Sequence, residues 1–247
     1  ALGLDTVEIR ARNLIQEGSI LSVGTPLPKG VSMPQVLERC AEEAGWKKKG
    51  GEWKKPNPKS QTPNPKVARG IGFAAAYKNV GFSFGFPEQC WATVAIEGAG
   101  EIERVTLYHA GADCGQGAHT VFAQMAAEAT GVSLDKNQLV LSDTATSQTS
   151  GSASASRMTF MAGNAIKGAG ESALKKWIEE ERPATATFQY RPPKTTMYDP
   201  ETGHSEPNFA YGYVAEAVEV EVDTETGHIR VTNVVVADDV GHAVNPA

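Results

Sequence analysis

The stretch GADCGQGAHTVFAQMAAEATGV, residues 111–132, decides how the rest of the chain is read. Glycine loses more conformational freedom on folding than any other residue. Gly111, Gly115 and Gly117 in so short a span therefore imply a turn with positive φ or something lying close against the main chain. EIERVTLYHA before it is strand-like, and a helix is expected from about Ala118 to Thr130. The first turn of a helix leaves backbone N–H groups without partners and concentrates partial positive charge, so a bare loop at that point can admit an anionic or oxygen-rich ligand. A plain connection has the same appearance at this level.

A second bare entrance, SQTSGSASASR at 147–157, precedes a helix expected from about Ser154 to Glu181. Ala155, Ala162, Gly163, Ala165, Ala169 and Gly170 keep its turns thin, which suits a neighbouring element or a planar ligand. A short strand, NQLVLSD, lies between the two helices. A dinucleotide fingerprint fits poorly, because Gly115-Gln116-Gly117 lacks the third glycine at the required spacing and no clear second βαβ unit follows.

Outward from this centre the pattern alternates. WATVAIEG and EIERVTLYHA, joined at Gly98-Ala99-Gly100, read as a hairpin. YVAEAVEVEVD and HIRVTNVVVADD read as a second, with Val218, Val220 and Val222 on one face, Glu219 and Glu221 on the other, and one face wet. Toward the N-terminus, Leu4 to Ile15 has helical periodicity that Gly18 can end. Ser32 and Gln35 form a possible capping box, with Pro34 in the first turn, for a helix running to Gly45. KKKGGEWKKPNPKSQTPNPK, residues 47–66, is basic, aperiodic and rich in Pro, Gly and Asn, an exposed loop. The fold class that results is α+β: mixed β-sheet hairpins packed with two long helices.

Composition narrows the function. The 247 residues, 40% of them hydrophobic, suffice for a sizeable core. With 23 Lys+Arg against 29 Asp+Glu the formal charge is −6, which gives no electrostatic footprint for nucleic acid or an anionic membrane. No apolar run approaches a membrane span, and ALGLDTVEIR has no secretory character. Cys40, Cys90 and Cys114 are odd in number and far apart, so a cytoplasmic location fits best and no disulfide framework or protein-held iron–sulfur cluster is expected. None of His109, His119, His204, His228 and His242 has a partner at metal-ligand spacing; solvated or capping roles suffice for them, and no protein-ligated metal is expected.

GADCGQGAHTVFAQMAAEATGV, SASASRMTFMAGNAI and EVEVDTETGHIRVTNVVVADDVGHAVNP, with LGLDTVEIRARNLIQEG and GFSFGFPEQCWATVAIEG in the same order, resemble the molybdenum-binding large subunit of the xanthine dehydrogenase and aldehyde oxidase family. The resemblance implies a fragment of such a subunit. Residues 1–30 would be the C-terminal tail of the first molybdenum-binding domain with its connection, and residues 31–247 the second cofactor-binding domain, truncated at its end. It implies molybdopterin, in mono- or cytosine dinucleotide form, as cofactor. Gly115, Gln116 and Gly117 are matched to one cofactor loop and Ser154, Ala155, Ser156 and Arg157 to a second, with Arg157 free to pair with a cofactor phosphate or a structural carboxylate. Asp113 is read as stabilising the turn and Cys114 as a small buried residue. Phe84 is a pocket wall or an ordinary core side chain, with Gly85 leaving room beside it. Asp238, Asp239, Asn245 and Pro246 are read as turn chemistry.

The implied reaction is hydroxylation of an aldehyde or N-heterocycle with water as oxygen donor and a carboxylate as base. The resemblance puts that base, a glutamate, beyond the Asn-Pro turn and other contacts before Ala1, so no catalytic residue is assigned here and the isolated chain is expected to be inactive. Iron–sulfur clusters and FAD are expected only on partner domains or subunits, alongside the remainder of the large subunit and a small-molecule substrate. A degenerate scaffold without cofactor is the alternative.

Overall fold

The computed structural model describes residues 2–56, 64 and 66–246. In chain order its elements are α1 (Thr6–Ala11), α2 (Met33–Glu43), β1 (Lys47–Lys49), β2 (Glu52–Lys54) and β3 (Val67–Asn79). There follow β4 (Cys90–Glu97), β5 (Arg104–His109), α3 (Ala118–Thr130), β6 (Asn137–Leu141) and α4 (Met158–Ile178). The last are β7 (Ala184–Tyr190), β8 (Tyr211–Asp223) and β9 (Ile229–Asp239). The chain forms two compact units, one of residues 1–78 with 210–241 and the other of residues 79–209 with 242–247.

In the first unit α1 and α2 pack with a three-stranded sheet of order β3-β8-β9. The α1 helix is shorter than its periodicity suggests and gives way at Arg12, whose N–H donates to Glu8 O while that of Asn13 donates to Arg10 O. The α2 helix begins after Ser32 as expected, but no capping box forms: the Ser32 hydroxyl donates to Asp239 on β9. The basic segment is structured at its start, where β1 and β2 make a hairpin. Trp46 and Trp53 are buried beneath it, Trp53 N–H donates to Glu8 at 2.8 Å, and Lys48 lies 4.8 Å from the Trp53 ring. Two indoles seeking cover thus outweighed the loop-like composition, while residues 57–63 and 65 of that segment lie outside the described residues.

The β8–β9 hairpin forms, with a bulge after Glu219. Tyr213, Ala215 and Ala217 are its buried residues, packed with α2. Side chains alternate along a strand, so Val218, Val220 and Val222 and their partners Val234, Val231 and Ile229 share the opposite face. On that face Val231 and Ile229 are exposed, so the wet face is the one that carries the valines. Glu221, on the other face, is held ionised by Arg230 and Arg69, which keep its carboxyl below its ordinary range.

The second unit is a four-stranded sheet of order β6-β5-β4-β7 covered by α3 and α4. The β4 strand runs antiparallel to β5 and β7, and β5 runs parallel to β6. Cys90, Ala92, Val94 and Ile96 alternate along β4 into the core, facing Phe122 and Ala126 of α3 and Met161, Ala165 and Ala169 of α4. The thin face of α4 serves protein packing. A Cβ on Gly163 would lie 2.9 Å from Met125 Cε, one on Gly170 2.8 Å from Ala129 Cβ, and one on Gly168 2.5 Å from the Phe188 ring. Because the pairs Gly163–Met125 and Gly170–Ala129 advance together, α3 and α4 run in the same direction and start at the same end.

Candidate functional site

Strand register locates the loops of the second unit. Thr93 pairs with Tyr108, His109 with Leu141, and Cys90 with Tyr190. The start of β4 and the ends of β5, β6 and β7 therefore share one end of the sheet. The segments holding Phe84 and Gly85, Gly115 to Gly117, and Ser154 to Arg157 all leave from that end. Sequence order separates them, and the sheet brings them together.

The first loop is organised by Asp113. Its Oδ1 accepts from the amides of Gly115 at 2.8 Å and Gly117 at 3.2 Å, and its Oδ2 accepts from His119 N–H at 3.4 Å. These bonds, Gly115 first, hold its carboxyl below the ordinary aspartate range. The amides of Gln116, Ala118 and Thr120 have no acceptor among the described residues. Gln116 braces the loop, its Oε1 accepting from Cys114 N–H at 2.6 Å and its Nε2 donating to Ala112 O at 3.2 Å. Gly115 and Gly117 have φ of +107° and +78°, and a Cβ on either would meet nothing within 4 Å. Cys114 is exposed, not buried, because the loop stands away from the core.

The second loop has no glycine at its tip. Ala155 and Ser156 adopt φ of 55° and 51°, left-handed values that cost a side-chain-bearing residue energy. Arg157 supports them. It is buried, its Nη1 donates to Ser150 O at 2.8 Å and Ser152 O at 2.9 Å, and its Nη2 donates to Gln89 O at 3.0 Å. Its Nε faces Glu88 Oε1 at 3.3 Å, and its guanidinium lies 5.2 Å from the Phe82 ring. Of the two partners open to Arg157 on sequence grounds, a carboxylate, that of Glu88, lies against it. Gly81 N–H donates to Ala155 O at 3.0 Å, tying this loop to the Phe84 segment. Ser154 and Ser156 are exposed, and the Ser154 hydroxyl lies 2.8 Å from that of Ser152.

Phe84 is 45% exposed with a φ of 57°, so it is no core residue. Gly85 N–H donates to Thr195 Oγ1 at 2.9 Å, and a Cβ there would lie 3.0 Å from Met197. The segment after β7, which the sequence reading passed over, therefore joins the same cluster; its only signal was a run of Pro, Thr and Asp without periodicity. His109 was also missed. Far from solvated, it is fully buried between Cys90 and Gly111, and burial lowers its pKa to about 4. Burial likewise pushes the Cys90 thiol up to about 12.

No group of three or more His, Cys, Asp or Glu side chains able to hold a metal occurs among the described residues. The donors at this end are main-chain amides, a carboxamide and hydroxyls. Such a set suits an oxygen- and nitrogen-rich organic group. No helix among the described residues is long and apolar enough to cross a membrane.

Residues 39–182 and 172–247 match the molybdopterin cofactor-binding domain family, and the chain belongs to that family. Its α+β fold is that of the molybdenum hydroxylases. Relatives include the xanthine dehydrogenase/oxidase of Felis catus, 26% identical over 264 residues that cover 99% of this chain and 19% of the relative. The aldehyde oxidoreductase of Megalodesulfovibrio gigas is 26% identical over 262 residues, covering 99% and 27%. Among solved structures, the aldehyde oxidoreductase from Desulfovibrio gigas superimposes with a TM-score of 0.77 at 25% identity, over 99% of this chain and 27% of that one. A CO dehydrogenase from Oligotropha carboxidovorans shares the fold, with a TM-score of 0.70 at 18% identity. The chain thus spans 19% to 27% of the length of the curated relatives named here.

Proposed function

We propose that this chain supplies part of the molybdopterin cradle and one wall of the substrate pocket in a molybdenum hydroxylase acting on an aldehyde or N-heterocycle, with water as oxygen donor. The observation that carries this reading is the shared departure of three candidate segments from one end of the second unit's sheet. Bound molybdopterin supplies the redox-active metal at which the substrate carbon is oxidised. The chain's own residues bind and orient.

Gly115 and Gly117 let the main chain lie flat against the cofactor, and the amides of Gln116, Ala118 and Thr120 are the donors left over once Asp113 has taken the alternate ones. Gln116 keeps a second Nε2 hydrogen and a second Oε1 lone pair for the same ligand. Ser154 and Ser156 would add hydroxyls, the small side chain of Ala155 would leave space for the cofactor, and Arg157 would act from behind by holding the loop in shape. Phe84 offers an aromatic wall for a planar substrate, while the bare Cα of Gly85 admits the 195–197 segment and leaves no room for a ligand there.

The partners belonging to this reading are the remainder of the large subunit, whose first molybdenum-binding domain would end in residues 1–30 of this chain, and iron–sulfur and FAD domains or subunits that remove electrons. A reducing cytoplasm is the proposed compartment, in keeping with the free thiols of Cys40, Cys90 and Cys114. The test is Gly117→Trp in the complete protein. Molybdenum and pterin content per polypeptide should fall to background while the circular dichroism spectrum is retained; wild-type molybdenum content would refute the cradle.

A further inference from the structure

The three glycines of the first loop do different work. Gly115 and Gly117 face open space, whereas a Cβ on Gly111 would lie 2.8 Å from His109 Nδ1 and 2.8 Å from the Phe122 ring. Gly111 is bare so that protein side chains can reach its main chain. Its N–H donates to His109 Nδ1 at 2.9 Å, and its carbonyl oxygen lies 3.0 Å from His119 Nε2. An amide nitrogen can only donate and a carbonyl can only accept, so His109 Nδ1 is an acceptor and His119 Nε2 a donor. The remaining proton of neutral His109 is then on Nε2, which faces Cys90 Sγ at 3.4 Å. Both imidazoles lie against Phe122, with ring centroids 4.6 and 6.1 Å away. Two histidines thus grip one glycine residue from either side, at the point where the loop leaves β5.

The grip extends toward the second loop. Cys90 follows Gln89 and Glu88, the two residues whose oxygens hold Arg157. A buried line of contacts therefore runs from Gly111 through His109 and Cys90 to the arginine that shapes residues 150–157.

We infer that His109 is a positioning residue for the first cofactor loop: its Nδ1 fixes Gly111, and so sets where the free amides of Gln116, Ala118 and Thr120 point, without touching the ligand. The part of this inference that concerns a ligand rests on the function proposed above; the part that concerns the loop does not.

Three substitutions separate acceptor from bulk. In His109→Asn the side-chain oxygen stands where Nδ1 was, in His109→Gln the polar end reaches toward Cys90 instead, and His109→Leu removes both. Hydrogen exchange of the 247-residue chain should show the hydrogen-bonded amides of Gly111, Cys114, Gly115 and Gly117 exchanging roughly tenfold faster in the Leu and Gln variants, with β4 and β5 unchanged, because a buried hydrogen bond has been lost. The Asn variant should restore protection, and in the complete protein the same order should appear in molybdenum content. Equal protection in all variants, or Asn behaving as Leu, overturns the inference. Should the Leu variant fail to fold, the Asn and Gln variants carry the comparison, and ¹⁵N spectra of the wild-type imidazole test it without substitution: a proton on Nδ1 would sink it. If His109→Leu loosens the loop while Gly117→Trp retains molybdenum, the cofactor reading fails and the clasp stands. The reverse result separates the two the other way.

Discussion

The two bare helix entrances of the second unit solve the same geometric problem by opposite means. The entrance to α3 turns through glycines, so its left-handed backbone is cheap in the folded state, and an exposed-side carboxylate, Asp113, gathers the amides. At the entrance to α4 the left-handed residues are Ala155 and Ser156, and the strain is held by a buried arginine with three carbonyl partners and one carboxylate. A loop made of glycine needs a fixed point at its root. One made of strained residues needs a brace underneath.

The comparison breaks most sharply at Arg157. Its side chain is 0% and that of Glu88 4% exposed, so Arg157→Ala leaves a buried carboxylate with the Phe82 N–H but no cation beside it and should cost on the order of 3–5 kcal/mol in urea unfolding. Asp113→Ala, at the other entrance, removes only capping bonds and should cost about 1 kcal/mol. Equal losses would show that the braces are equivalent.

Next in size is a dependence on pH. Burial, helped by the charges of His119 and Arg157, lowers the His109 pKa from 6.5 to about 4. The unfolded chain therefore binds the extra proton first as pH falls. The contribution of neutral His109 is complete above pH 6.5 and is lost as pH drops toward 4, about 3 kcal/mol in all. Denaturation midpoints measured across that window should slope upward with pH in the wild type and lose this component in His109→Asn.

The smallest effects should be opposite in sign. Gly117→Ala places a Cβ in open space at φ +78° and should lose about 1 kcal/mol from backbone strain alone. Ala155→Gly relieves a φ of 55° and should gain a similar amount, about 1 kcal/mol, in thermal or denaturant unfolding. If both substitutions destabilise, Ala155 contributes a contact that outweighs its strain.

Local pattern carried much of this molecule. The α3 helix occupies Ala118–Thr130 as its periodicity and flanking glycines indicate, and both hairpins form where alternating strands meet glycine-containing turns. Short-range physics suffices there, since turn chemistry and side-chain period are properties of neighbouring residues. Where the local signal misled, a distant partner was responsible. Ser32 caps nothing because Asp239 claims its hydroxyl, Lys47–Lys49 is a strand because Trp46 and Trp53 need burial, and the valines of β8 turn outward because Tyr213, Ala215 and Ala217 fit α2.

The candidate loops, then, were legible one at a time, as glycine, serine and alanine where bulk would be expected. Their meeting was not, because the register of Thr93 with Tyr108 and of His109 with Leu141 brings together segments that chain order keeps apart. The sequence by itself determined which loops are bare and which helices they precede. Only the tertiary structure decided that they open at one end of one sheet, and that a neutral histidine and a buried arginine stand behind them, since burial and long-range pairing are properties of the packed whole.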